Sequence, residues 1–122
     1  MDKNVRFYIC EKCKNQVGMI KDNGPKLMCC GNEMELMKIN KEKNLPKFDI
    51  KDNKIIVNIQ KEEYTKNNEN DIMWVALVSK NQTIRKRVES NQNSKLIFDY
   101  IPNSDLYVYS EKYGLLKDKI KK

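Results

Sequence analysis

The chain has 122 residues, enough for one ordinary domain or for a very small module joined to a domain of about 80 to 90 residues. Its apolar residues, 39% of the total, gather in strand-sized clusters; this excludes a disordered chain, and no cluster approaches the about 18 to 20 consecutive apolar residues of a membrane span. A net charge of +7 attracts phosphate, yet only three of the 24 basic residues are Arg (Arg6, Arg85 and Arg87) and the Lys residues are scattered among Asn, a pattern that argues against nucleic acid and leaves an acidic protein as the plausible charged partner.

Met1 to Arg6 lacks the apolar run of a signal peptide, so the expected compartment is the cytoplasm. The first informative element follows at once. Cys10 and Cys13 have the two-residue spacing that lets a turn place two sulfurs on one metal, Gly24 and Pro25 mark a connection, and Cys29 and Cys30 complete a set of four; all the cysteines of the chain lie here. Two disulfides or four buried thiols are poorer readings, because reducing cytoplasm disfavours disulfides and adjacent cysteines are badly placed to pair with each other. Four soft thiolates select iron or zinc over hard cations, and the residues leave those two metals open. Val5, Phe7, Ile9, Val17, Met19, Leu27 and Met28 are read as short-strand residues around this site, with Phe7 and Tyr8 as packing residues in preference to electron relays. A piece this small buries too little apolar surface to fold alone, so metal binding must supply much of its folding free energy.

Met37 to Lys47, charged and without apolar periodicity, reads as a boundary segment. The expected organisation is therefore a four-cysteine metal-binding module over residues 1–37 and a larger domain over 38–122. Beyond the boundary come five strand-sized runs: Lys54 to Ile59, Ile72 to Val78, Thr83 to Val88, Leu96 to Ile101 and Leu106 to Tyr109. They are rich in Ile, Val, Tyr and Phe, several alternate with polar residues, and Asn, Asp, Gln and Ser separate them. The predicted fold is all-β, a small metal-binding β module followed by an antiparallel β-sandwich, with Trp74 expected at the centre of the sandwich core.

The run Cys10-x2-Cys13-x15-Cys29-Cys30-Gly31-x2-Met34 resembles the desulforedoxin module, and residues 40–120 resemble, more loosely, the superoxide reductase domain of desulfoferrodoxins. The resemblance implies one iron per chain on four cysteines, cycling between ferric and ferrous in a distorted tetrahedron. It also implies a homodimer and an immunoglobulin-like sandwich. In that family a second iron is held by four His and one Cys. Glu42-Lys43-Asn44-Leu45-Pro46 resembles the segment that carries its first His, with Asn44 in the ligand position. Counting back from Trp74 puts Tyr64 and Asn70 at two further His positions. Ser110-Glu111-Lys112-Tyr113-Gly114-Leu115-Leu116-Lys117 resembles the segment of the axial Cys and fourth His, leaving Ser110 and Tyr113 there. All five ligands are replaced in this reading, and a chain without histidine has none to supply from another register. The expected function is that of a desulfoferrodoxin-like electron-transfer protein with one iron tetrathiolate centre and no superoxide reductase centre. The alternative is a structural zinc protein that reuses the fold to bind a partner.

Overall fold

The computed structural model describes residues 6–19, 26–42, 45–58, 65–66, 69–70, 72–88 and 95–120. Every regular element among them is a β-strand. β1 (Arg6–Ile9) and β2 (Gln16–Met19) form a hairpin that brackets the first cysteine pair. β3 (Met28–Cys29) and β4 (Asn32–Glu33) form a shorter one around Cys30, and β5 (Glu35–Leu36) joins the free edge of β1, so that the first sheet has the order β2-β1-β5. Val5, Gly24 and Pro25 lie outside the described residues.

The second half begins with β6 (Phe48–Lys51) and β7 (Lys54–Asn58). Their connection is Asp52-Asn53, with φ of 53° and 61°. Two consecutive left-handed residues make the tight turn whose twist suits a two-residue hairpin, and Asp and Asn are the side chains that tolerate it best after Gly. The backbone of β8 (Thr65–Lys66) pairs with β9 (Glu69–Asn70). β10 (Ile72–Val78), β11 (Thr83–Arg87), β12 (Lys95–Asp99), β13 (Asp105–Ser110) and β14 (Gly114–Lys119) complete the chain. All pairs are antiparallel, in a four-stranded sheet ordered β11-β10-β13-β14 and a three-stranded sheet ordered β12-β7-β6. The facing sides of these two sheets enclose one core, including Ile55 and Val57 of β7, Leu96 and Phe98 of β12, Val75 and Leu77 of β10, and Leu106 and Val108 of β13. This is the antiparallel β-sandwich that the sequence predicts.

The strand set is wider than the sequence reading. Phe48–Lys51 and Gly114–Lys119 are strands that it did not assign, although Phe48 and Ile50 alternate with Asp49 and Lys51 in the expected way and pack inward. The position of Trp74 is a larger correction. It is buried, but on the opposite face of β10 from Val75 and Leu77, in a second core with Phe7, Ala76, Val78, Tyr107 and Leu115. The ring of Phe7 sits 4.9 Å from that of Trp74 and 5.3 Å from that of Tyr107, and Trp74 stacks on Tyr109 at 5.7 Å. The indole N–H of Trp74 donates to Gln16 Oε1 at 2.8 Å, so its one polar atom is satisfied by the first sheet.

The cysteine-bearing strands therefore lie across the outer face of the four-stranded sheet and share a core with it. Across the strand pair Phe7 stands opposite Gly18, where an added Cβ would lie in ordinary van der Waals contact with the Phe7 ring at 3.5 Å. The segment after β5 adds to the cover. Met37 N donates to Phe7 O, Ile39 bridges to Leu115, and Asn40 N donates to Leu115 O, which lays residues 37–40 along β14.

A four-cysteine candidate metal centre

Cys10 directly follows β1, and its backbone fixes the first turn: Cys10 N donates to Asn15 O at 2.9 Å, and Lys14 N donates back to Cys10 O at 2.7 Å. The reversal needs a left-handed residue, which is Lys14 at φ 68°. Cys29 ends β3, and the second turn passes through Cys30 at φ 54° and Gly31 at φ 76°. Neighbouring side chains on an extended strand point to opposite faces. The left-handed twist at Cys30 swings its sulfur back towards that of Cys29, and this is how two adjacent cysteines serve one centre.

The four sulfurs all lie within 4.8 Å of one another, with Cys13 Sγ to Cys29 Sγ at 3.4 Å and Cys29 Sγ to Cys30 Sγ at 3.9 Å. All four cysteines are free thiols. A metal with bonds of about 2.3 Å to four tetrahedral sulfurs separates them by about 3.8 Å, so the cage has the size that iron or zinc requires. Cys10 is buried and Cys29 half-buried, while Cys13 and Cys30 are exposed. One side of the cage faces the protein and the other faces solvent.

The thiol acidities show what a cation would contribute. The backbone N–H of Cys13 is the main influence that draws Cys10 down to about 6. Hydrogen bonding with Cys13, then with Cys10, pushes Cys30 up to about 12, and Cys29 is raised by the same two partners. The cage by itself holds one thiolate readily and resists the next, chiefly because hydrogen bonds among the sulfurs keep the remaining protons in place and, to a smaller extent, because a second charge meets that of Cys10. Four thiolates coexist only around a cation. From outside the four ligands, Asn15 Nδ2 donates to Cys29 Sγ at 3.7 Å. The sequence reading missed this side chain, whose one signal is its place two residues after the first pair.

The second set of predicted positions is arranged differently. Asn44 and Tyr64 lie outside the described residues, and Asn70 is described by its backbone in β9. The strand after it starts with Ile72 opposite Ser110, and Ser110 and Tyr113 lie at the turn that joins β13 to β14. Ser110 is fully buried, and its Oγ accepts from the backbone N–H groups of Lys112 at 3.2 Å and Tyr113 at 3.1 Å. Asn40 Nδ2 donates to Tyr113 O at 2.7 Å. Glu42 is exposed, and its backbone N–H donates to Asn40 Oδ1. Ser110 thus caps its own turn, and a neutral hydroxyl engaged in that way is a poor stand-in for a thiolate. The residues present here do not fit an iron centre built from imidazole and sulfur.

Fold and site together define an all-β protein with a cluster of four cysteines, able to hold a metal, laid against a β-sandwich. No protein-family model matches the chain. It is 26% identical over 106 residues to a desulfoferrodoxin of Syntrophotalea carbinolica, a match covering 83% of this chain and 84% of that one. It is 25% identical over 103 residues to a desulfoferrodoxin homolog of Archaeoglobus fulgidus, covering 80% and 82%. Its fold is similar to that of the superoxide reductase from Treponema pallidum, with a TM-score of 0.66 at 15% identity over 95% of this chain and 98% of the other. The chain is desulfoferrodoxin-like along most of its length. Among the described residues, no helix is long and apolar enough to cross a membrane.

Proposed function

We propose that the protein is a one-electron carrier in which Cys10, Cys13, Cys29 and Cys30 hold a single iron, and that it has no superoxide-reducing centre. The observation that carries the reading is the convergence of the four sulfurs within 4.8 Å, joined to the likeness to desulfoferrodoxins. Iron bound there would change its charge by one between the ferric and ferrous states while keeping the same four ligands. Around it, Cys10 anchors the cage to β1, and the second left-handed turn aims Cys29 and Cys30 at a common point. The exposed Cys13 and Cys30 leave an edge through which an electron can pass to a docked partner.

Lys12 and Lys14 flank the exposed Cys13, Lys14 also pairing with Glu11, and with the net charge of +7 they suit an acidic partner protein. The cytoplasm is the compartment in which the cysteines stay reduced and able to bind metal. A homodimer belongs to the same reading. Val17 and Leu36 stand opposite Tyr8 on its two sides, 40% and 49% exposed, and form an apolar row turned away from Phe7 that a second copy can cover. The module of residues 1–37 and the sandwich of 38–122 remain the proposed units of the chain.

A visible absorption spectrum taken with metal analysis tests the central claim. Ferric tetrathiolate is coloured and bleaches on reduction, whereas a colourless protein with one zinc per chain overturns the redox reading in favour of a structural role. For the absent centre, metal-replete protein is expected to reduce superoxide no faster than the Cys10→Ser, Cys13→Ser double variant. Robust turnover defeats that part of the proposal.

A further inference from the structure

We propose that Asn15 is a positioning residue of the metal centre, its side-chain amide donating to Cys29 Sγ and thereby raising the reduction potential of an iron held there; the inference rests on the tetrathiolate reading above. The geometry separates the two roles of this residue. Its backbone carbonyl accepts the N–H of Cys10 and closes the hairpin whatever side chain it carries. Its side chain does something else, placing Nδ2 3.7 Å from Cys29 Sγ. The neighbouring residue fixes the direction of approach, because Gln16 starts β2 and holds the indole of Trp74 in the shared core, so the chain entering the strand is anchored on the sandwich one residue after Asn15.

The effect on potential has a definite sign. Ferric iron with four thiolates carries a net charge of minus one. One electron taken from an electrode or a reduced dye takes it to minus two, with no bond to sulfur formed or broken. An N–H donor stabilises the sulfur more when it carries more negative charge, so it favours the reduced form. Asn15 is exposed, and solvent screens part of this effect. The expected change on removing the donor is about threefold in the equilibrium constant for reduction, or about 30 mV towards lower potential for a one-electron couple.

The test is a dye-mediated redox titration of the full-length protein loaded with one iron, alongside Asn15→Leu and Asn15→Asp. Because the iron is supplied during loading, the measurement does not depend on the metal found in the native protein. Asn15→Leu removes the donor at similar size, and a lower potential with the sulfur-to-iron absorption moved to longer wavelength supports the proposal. Asn15→Asp replaces the donor with a negative charge and is expected to fall further; it also serves if the Leu variant fails to fold. Wild-type potential in an iron-loaded variant overturns the role of Asn15 and leaves the tetrathiolate reading intact. Failure of the wild-type protein to form a reversibly reducible iron centre overturns both.

Discussion

Replacing Phe7 by Ala is expected to destabilise the cysteine-bearing strands and the sandwich together. Phe7 is 7% exposed and contacts Trp74 and Tyr107 with ring centroids 4.9 and 5.3 Å away, under the cover of Met37 and Ile39. Core Phe-to-Ala changes cost about 3 to 5 kcal/mol, and each aromatic pair adds about 0.5 to 1.5 kcal/mol beyond area burial. Phe7 keeps some exposure and is covered by Met37 and Ile39, themselves only partly buried and able to close in, so the expected loss is about 3 kcal/mol, the lower end of that range. The assay is denaturant unfolding of the metal-loaded protein with two probes. Trp74, the single tryptophan, reports the shared core, and the metal-sulfur absorption reports the cage. Both transitions are expected to move together to lower denaturant concentration. A loss below about 1 kcal/mol refutes the packing argument, since it is less than the transfer free energy of one buried aromatic ring. A shift of the absorption transition with the tryptophan transition unmoved refutes the idea that one core joins the two parts.

Three further outcomes follow from particular atoms. Ser110→Ala leaves the backbone N–H groups of Lys112 and Tyr113 without their buried acceptor and is expected to cost about 1 to 3 kcal/mol by denaturant titration; an unchanged midpoint would show that the turn does not need its cap. Lys14→Gly relieves a left-handed side-chain conformation at φ 68° and is expected to raise stability by up to about 1 kcal/mol, the loss of the exposed Glu11 pair being worth little; a lower thermal midpoint would contradict it. Metal uptake near pH 7 must displace protons from Cys29 and Cys30, whose thiols are raised, whereas Cys10, lowered to about 6, is already largely ionised. Affinity is therefore expected to rise with pH, by at least about a hundredfold per unit for two displaced protons, with a third proton from Cys10 steepening the loss below pH 6. Competition with a coloured chelator at two pH values measures it, and a dependence shallower than one proton would sink this account.

The convergence of four cysteines was legible in the residues, because ligand chemistry is a property of side-chain type and the spacing within the pairs Cys10/Cys13 and Cys29/Cys30 is local. The β character of the chain was legible too, since Val, Ile and aromatic runs broken by Asn, Asp and Ser declare strands of about the right length. Phe48–Lys51 escaped because its alternation is short and follows directly on a charged segment. Gly114–Lys119 escaped because Gly opens it and Lys117, Asp118 and Lys119 close it, so that only Leu115 and Leu116 favour a strand and its pairing with β13 supplies the rest.

The burial partner of each face was beyond the reach of the sequence. Ile72–Val78 is apolar on both sides, and a period of two assigns Trp74, Ala76 and Val78 to one face and Val75 and Leu77 to the other without naming what covers either. Only tertiary structure decided that Val75 and Leu77 meet the second sheet while Trp74 meets Phe7 and Gln16, contacts that join residues more than fifty positions apart. The same holds for Asn15, whose approach to Cys29 depends on how two turns face each other across the cage. Amino-acid type fixed which atoms are able to bind a soft metal; the packing of one sheet against another settled which side chains surround those atoms, because burial depends on neighbours in space and local pattern records only neighbours in the chain.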